Sequence, residues 1–561
     1  MTTLPGPTAP TVPERPGTRR VGPVFAGLLV AMLLASLDQT ILATALPTIV
    51  GELDGVDHML WVTTAYLVAA TITMPVYGKV GDLVGRKTLF VVALSIFLVG
   101  SLVGALAPDM TWLVAGRAIQ GLGGGGLMIL SQAIIADVVP VRERSKYMGA
   151  MGAVFGVSSV IGPLLGGWFT ESIGWRWAFW INIPLGLAAI ACAVVFLRLP
   201  RHHVAVRLDV WGILTMAVAV TSIILVTSWG GTEHDWDSGV IVGLVVTALV
   251  SSAAFVLAEH RAAEPIIPLG LFTNRNFVLA TSAGLFIGVA MFGAVSYMPT
   301  YLQMVTGVGA TTSGLLMVPM VLGLMSTAVT TGLLASRTGR YKWMPLAGMV
   351  VLAVALALLS TLTPTTPLAV LLTCLFLLGA GVGLGMQILV LVVQNSFPDR
   401  MVGTATASNN FFREIGASLG GAVVGALFTS RLTTALTERV PADTGAGGLP
   451  ETSSLTPAAV NALPDALHDV VVGAYNDALT PVFLMLLPMI AVGFVLLLFL
   501  REVPLRSTGT KDAGTRPAGT PGAPTHVAEV RDDGSPAFAP DSAAAAQAEA
   551  SAPASPAGSG R

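Results

Sequence analysis

Fourteen stretches of about 20 predominantly apolar residues, separated by short polar breaks, limit the fold of this chain more tightly than any other feature. They fall near 24–46, 58–77, 88–107, 111–133, 147–169, 175–197, 209–229, 239–258, 277–298, 312–335, 343–362, 367–392, 403–429 and 480–500. An α-helix of about 20 residues crosses the roughly 30 Å hydrocarbon core of a bilayer while satisfying its own backbone groups. Of the 561 residues, 54% are hydrophobic and 11% charged, with a mean hydropathy of +0.78, where a soluble domain carries about 25% charged residues. Fourteen spans use about 280 positions, which leaves loops and two tails and no room for a soluble catalytic domain. The chain therefore reads as an all-α membrane protein, not an enzyme. Its net charge of −2 gives nucleic acid no basic face to bind. Cys192 and Cys374 each sit inside an apolar run, as small core residues rather than disulfide partners or metal ligands.

Residues 1–21 are rich in proline and carry Arg15, Arg19 and Arg20 without an apolar core before a cleavage site, so they read as a disordered cytoplasmic lead rather than a signal peptide. Residues 502–561 are Pro, Ala, Gly and Ser with scattered charges, a composition that cannot bury a core. Short loops keep Lys and Arg on the cytoplasmic side. Lys79, Arg86 and Lys87; Arg142, Arg144 and Lys146; Arg198, Arg201 and Arg207; Arg261 and Arg275; and Arg337, Arg340 and Lys342 occupy alternate loops. The loops between them hold Glu52, Asp54, Asp57, Asp109, Glu233, Asp235 and Asp237, with Arg176, Arg431 and Arg439 as their basic residues. This pattern places both termini in the cytoplasm and makes 431–479 an external loop.

An internal repeat divides the spans. Gly78 to Arg86 after span 2 is echoed with the same glycine and arginine spacing by Gly332 to Arg340 after span 10, and Leu46-Pro47-Thr48 by Met298-Pro299-Thr300. Gly121, Gly123 and Gly125 recur as Gly379, Gly381 and Gly383; Gly162, Gly166 and Gly167 recur as Gly416, Gly420 and Gly421. The pattern predicts two pseudo-symmetric six-helix bundles, 22–200 and 263–501, flanking two inserted helices in 201–262. Duplicated bundles of this kind enclose a cavity and rock against each other.

A charge within a bilayer is unfavourable by at least about 2.5 kcal/mol on insertion scales, so a mid-span charge is a functional candidate. Asp38, Arg117, Arg413 and Glu414 stand out. Asp38 and Arg117 both fall on the order of 10 Å below the outer surface at 1.5 Å per residue, a depth at which they can share one aqueous pocket and exchange a proton as their separation changes. The matching positions of the second half are Ala290 and Leu375, so bundle folding does not require the pair. Glu414 lies roughly 18 Å from the cytoplasmic end, near mid-membrane, and either it or Arg413 must find a partner elsewhere. In the turn after span 2, Gly78 and Gly85 permit a tight bend, Asp82 can cap a helix N-terminus, and Arg86 can pair with acids across the seam between halves. That combination reads as a gate. Span 5 carries Gly162, Pro163, Gly166 and Gly167, small residues for close packing and a proline that bends the helix. No GxxxxGK[ST] occurs and all seven histidines lie in loops, tails or span edges, so neither ATP, a metal nor another cofactor is called for, and energy must come from a gradient.

With these residues in view the chain resembles the major facilitator superfamily, and within it the fourteen-span drug:proton antiporters of the multidrug efflux type. Leu37-Asp38-Gln-Thr40 through Pro47 resembles the first-span motif, with Ala43-Thr44 where Asn-Val is common. Gly78 through Leu89 resembles the cytoplasmic loop motif, Arg117-Ala-Ile-Gln120-Gly121 the fourth-span motif, and Gly162-Pro163-Leu-Leu-Gly166-Gly167 the antiporter motif, which departs upstream at Ser158. Trp175-Arg176-Trp177 through Gly186 is similar to a signature of the fourteen-span branch. The resemblance implies that Asp38 couples protons, Arg117 assists the transfer, Asp82 and Arg86 stabilise the outward-facing state, and Gly162-Pro163 shapes the exchange conformation. Span 10 lacks the acid that some members use for dications. The protein this describes is a monomeric exporter of amphipathic organic compounds in a bacterial plasma membrane, driven by protons. A dedicated exporter of one endogenous metabolite and a non-transporting receptor are the alternatives.

Overall fold

The computed structural model describes residues 21–505, apart from 54, 56–57, 198, 200–207, 232, 440–459 and 461–462. The proline-rich lead, most of the tail from 502, and Arg198, Arg201 and Arg207 lie outside the described residues. Among the described residues the chain is helical, with one isolated bridge between Gly230 and His234 and no strand. The first half comprises α1 (Val21–Glu52), α2 (Met59–Val84), α3 (Arg86–Ala105), α4 (Met110–Val138), α5 (Val141–Trp168), the short α6 (Trp177–Trp180) and α7 (Asn182–Phe196). The inserted pair is α8 (Val210–Trp229) and α9 (Gly239–Arg261). The second half comprises α10 (Arg275–Val295), α11 (Met298–Thr306), α12 (Ala310–Leu316), α13 (Val318–Thr338), α14 (Trp343–Leu359), α15 (Leu368–Ser396), α16 (Val402–Arg439), α17 (Asp465–Met485) and α18 (Leu487–Leu498).

Among the described residues, thirteen helical stretches are long and apolar enough to cross a membrane, and α14, at 17 residues, is a shorter apolar helix at the eleventh expected segment. The segment 431–479, expected as an external loop, is helical at both of its ends. Phe428, Leu432 and Leu436 recur every fourth residue on one buried face, which carries α16 on to Arg439. At the other end, α17 begins at Asp465 and buries Val471, Tyr475, Leu479 and Val482. Its polar residues Asp465, His468, Asp469, Asn476 and Asp477 lower the mean hydropathy that marks a span in sequence. Pro163 does not interrupt α5, which runs on to Trp168. The departure from α geometry comes six residues after Pro163, in a π-helical turn over Phe169–Ile173 that ends at Gly174 with φ 96°. In the second half, breaks fall between α10 and α11, α12 and α13, and α17 and α18, with Pro299, Pro319 and Pro488 in the first turn of the following segment, where a missing N–H leaves no helical bond unmade.

The repeated glycines have a steric cause. A Cβ on Gly123 of α4 would lie 2.6 Å from the Phe97 nitrogen of α3, and one on Gly381 of α15 would lie 2.7 Å from the Leu352 nitrogen of α14. In each half these glycines let the central helix press its backbone against its neighbours, around Phe90, Phe97, Leu127 and Ile134 in the first and Phe277, Leu352, Leu375 and Leu378 in the second. Helix α8 joins the second core through Met216, Val220 and Ile224, and its Trp229 meets Trp61 of α2 edge to face at 5.5 Å. The inserted pair therefore touches both halves.

Gly123→Ala is expected to destabilise the fold by about 1–3 kcal/mol through overpacking. Gly167→Ala, where a Cβ meets nothing within 4 Å, is expected to be neutral or to stabilise by up to about 1 kcal/mol. Thermal unfolding of the two variants in one detergent checks the contrast.

Candidate functional site

Asp38 sits mid-way along α1, 2% exposed, and Arg117 of α4, 1% exposed, reaches it from the same depth. Arg117 Nη1 donates to Asp38 Oδ2 and to Gln120 Oε1 at 2.8 Å, while its Nε donates to the Val62 carbonyl of α2 at 3.2 Å. The guanidinium also lies 4.3 Å from the Tyr66 ring centroid. Asp38 Oδ1 accepts from Gln120 Nε2 at 2.9 Å and from Asn182 Nδ2 at 2.8 Å. Ser101 of α3 completes the cluster, accepting from Gln120 at 2.8 Å and from Asn182 at 3.2 Å. Arg117 and Gln120, three residues apart, share one helix face, which explains their spacing.

The shared aqueous pocket expected for Asp38 and Arg117 is replaced by direct contact. Amide and guanidinium donors from α4 and α7 occupy the carboxylate, so the pair is packed shut. Removing one partner of such a pair costs about 3–5 kcal/mol, because the other charge is left buried. Two residues on, Thr40 Oγ1 lies 3.0 Å from the Ser158 carbonyl of α5. A Cβ on Gly162 would strike the Thr40 side chain, and one on Gly166 would lie 2.8 Å from the Ile41 carbonyl. Thus Gly162 and Gly166 seat α1 against α5 beside the acid, while Gly167 has open space around it and Pro163 is half-buried.

A second constellation sits where the halves meet. Asp82, with its side chain 4% exposed, accepts from Gly403 N at 3.1 Å, Thr404 N at 2.7 Å and Thr404 Oγ1 at 2.8 Å. It caps the first turn of α16 in the opposite half, where the helix dipole favours a negative charge. Arg86 binds Asp82 Oδ1 at 2.6 Å, pairs with Asp137 of α4, and donates to the Asp399 carbonyl across the seam at 3.1 Å. The acids expected for Arg86 across the seam are thus both in its own half, and its cross-seam partner is a carbonyl. Gly85, at φ 108°, lets α2 turn at once into α3, a conformation that favours glycine. On Gly78 a Cβ would lie 2.8 Å from the Gly403 carbonyl. Arg142 extends the seam to the Ser336 and Arg337 carbonyls at 3.2 Å each, and Lys79 ties the turn to Glu264 after the inserted pair at 2.6 Å. In the repeated turn Ser336 stands where Asp82 would be, so the latch belongs to one half alone.

Glu414 is set apart from the Asp38 cluster. Its side chain is 19% exposed and faces Arg413 at 3.9 Å, and Arg413 reaches the Met128 sulfur of α4 at 3.7 Å rather than an acid. Uncharged amides also span the seam: Asn410 Nδ2 donates to Gln132 Oε1 at 3.0 Å, and Gln394 Nε2 lies 3.4 Å from the Gln132 carbonyl. Sequence reasoning gave no role to Asn182, Ser101, Tyr66 or these amides. The available signal was a polar side chain inside an apolar run, which is weak for uncharged residues. Among the described residues no group of three or more His, Cys, Asp or Glu side chains could hold a metal.

A two-half helical membrane bundle, with a buried acid and arginine in one half and a charged latch on the seam, defines a transporter of small molecules, not an enzyme. Residues 28–421 match the profile of the Major Facilitator Superfamily, and the chain belongs to that family. It is 44% identical over 515 residues to an uncharacterized MFS-type transporter of Mycobacterium tuberculosis, covering 89% of this chain and 73% of the relative. It is 37% identical over 508 residues to the multidrug transporter protein MdtP of Bacillus subtilis, covering 86% and 94% respectively. In fold it is similar to the solved structure of the proton:xylose symporter XylE, with TM-score 0.56 at 14% identity over 87% of this chain and 98% of that one.

Asp82→Asn removes the charge that caps α16 and pairs with Arg86, worth about 1–2 kcal/mol. The population separated at this end should then rise about 5–30-fold. Spin labels at Thr88 and Arg400, on a background lacking both native cysteines, would report longer distances; unchanged distances would exclude the latch.

Proposed function

We propose that this protein is a proton-driven antiporter that exports amphipathic organic compounds across a bacterial plasma membrane by alternating access. In this reading α14 is a span, the spans number fourteen, both termini are cytoplasmic, and a single chain is the working unit. The multidrug transporter relative supports the substrate class, and the absence of a phosphate-binding loop from the sequence favours a proton gradient over ATP. The observation that carries the reading is the placement of Asp38. It is an acid buried against Arg117 in one half, with Ala290 and Leu375 at the matching positions of the other, so it serves something other than the fold.

The Lys- and Arg-rich turn end is cytoplasmic by the positive-inside rule, and the Asp82 latch and the Gly78 contact close it. A proton arriving from outside neutralises Asp38 and weakens its hold on Arg117. Thr40 and Gly162 pass the movement of α1 to α5, whose Gly149 and Gly156 touch α13 at Ala328 and Met325 in the other half. Release of the latch then opens the cytoplasmic side, where loss of the proton restores affinity for substrate. Glu414, with its side chain 19% exposed, serves as a second acid for proton or cationic cargo.

In proteoliposomes with an imposed proton gradient, wild-type protein is expected to move an amphipathic dye against its own gradient, and Asp38→Asn to abolish the coupled proton flux. Normal proton flux from Asp38→Asn would remove Asp38 from the coupling step.

A further inference from the structure

The neighbours of Asp38 differ in one respect that bears on how it takes a proton. Ionised, the carboxylate only accepts, and donors meet both of its oxygens: Arg117 on Oδ2, Gln120 and Asn182 on Oδ1. Protonated, it acquires an O–H that must find an acceptor. Gln120 Oε1 is already engaged by Arg117 Nη1, and its Nε2 serves Asp38 and Ser101. Ser101 Oγ accepts from both amides and donates to the Phe97 carbonyl at 3.0 Å. Asn182 is 1% exposed, its Nδ2 donates to Asp38 and Ser101, and its Oδ1 is buried without a partner among the described residues.

We infer that Asn182 is the residue that accommodates the proton on Asp38. Resting on the antiport reading above, the step is an amide rotation. A proton from the aqueous side bonds to Asp38 Oδ1, and the Asn182 amide makes a half turn about its terminal torsion, which is soft. Its Oδ1 then accepts the new O–H, and its Nδ2 withdraws from the carboxyl. Deprotonation reverses the rotation. A buried oxygen left unpaired costs free energy, so the ionised state carries an unfilled acceptor that protonation fills. Asn182 is also the first residue of α7, next to the break at Ile181, in the segment whose Trp175 and Arg176 hold Glu52 at the end of α1 at 2.8 and 2.6 Å. The other titratable or charged groups facing Asp38 are Arg117 of α4 and Tyr66 of α2, with Glu414 of α16 in electrostatic reach of Tyr66. Helices α3, α5 and α7 present Ser101, Thr40-bound Ser158 and Asn182.

Asn182 is a positioning residue, and infrared difference spectra of the full chain in liposomes, recorded as pH is lowered, read it directly. The carboxylic C=O band of Asp38 is the one absent from Asp38→Asn, and the side-chain amide band of Asn182 is the one absent from Asn182→Ser. Both bands are expected to change together with one midpoint in the wild type. In Asn182→Leu the Asp38 band should move to higher wavenumber, and its midpoint should rise by about one pH unit, because the donor lost to the charged form outweighs the acceptor lost to the neutral one. Asn182→Ser, which can donate and accept, should bring the carboxyl band back toward its wild-type position. An Asp38 band with no accompanying amide change in the wild type overturns the inference and leaves Asp38 as the proton site. So does an Asp38 band unmoved in Asn182→Leu. A wild type without any Asp38 band overturns both readings, and the wild-type spectrum decides even if Asn182→Leu fails to fold.

Discussion

An ionised carboxylate inside a bilayer has no water to solvate it, and the first half of this molecule is arranged around that constraint. Asp38 is stabilised by a guanidinium and two amides brought from α4 and α7, with Ser101 of α3 and the Tyr66 ring of α2 behind them. Glycine lets the helices around the acid close in: a Cβ on Gly27 of α1 would lie 2.8 Å from the Cys192 Cβ of α7, Gly123 of α4 lies against Phe97 of α3, and Gly162 of α5 lies against Thr40 of α1. Such a pair is weak evidence for stability, since well-packed apolar residues of similar size serve as well or better. The second half makes the same point within one chain, because it builds an equivalent bundle with Ala290 and Leu375 in those places.

The asymmetry extends to the seam. Asp82 and Arg86 of one half clasp the first turn of α16 in the other, and the repeated turn has serine where the acid would be. One half thus supplies both the buried acid and the clasp, and the other supplies the helix end that is clasped. Between the two sites run α2 and α4, which carry Tyr66 and Arg117 at one level and Asp82 and Asp137 at the other. In the proposed mechanism a change of charge at Asp38 would reach the seam through these two continuous helices and through the Thr40 contact with α5. Coupling across such distances requires an element with two discrete arrangements, a role the proposal gives to the two halves meeting at their latch.

Much of this could be read before any coordinates. Asp38 and Arg117 stand out because a charge in an apolar run is rare, and counting 1.5 Å per residue puts them at one depth. Asp82 is recognisable as a helix cap, but its target 321 positions away, Gly403, cannot be found without tertiary contact, and Arg86 was assigned acids across the seam that lie in its own half. Asn182 and Ser101 escape because uncharged polar residues occur in many spans as plain packing. The last span is obscured by Asn476 and Asp477: Asn476 accepts from the Tyr301 hydroxyl at 2.8 Å, and Asp477 pairs with Arg439 at 2.5 Å. Asn476, which looks like a loop residue in sequence, is satisfied inside the bundle, while the Asp477–Arg439 pair is exposed. Pro163 lies inside α5 without ending it, because a proline in sequence does not say whether the helix stops at it.

The central claim is that one acid in the first helix is occupied in turn by a proton and by the consequences of substrate binding. The direct measurement is proton release from purified protein in weakly buffered solution on addition of an amphipathic organic compound that it binds. The account predicts acidification that saturates with substrate and disappears when the starting pH is high enough to have removed the proton already. Saturable binding with no change in pH at any starting value would contradict it.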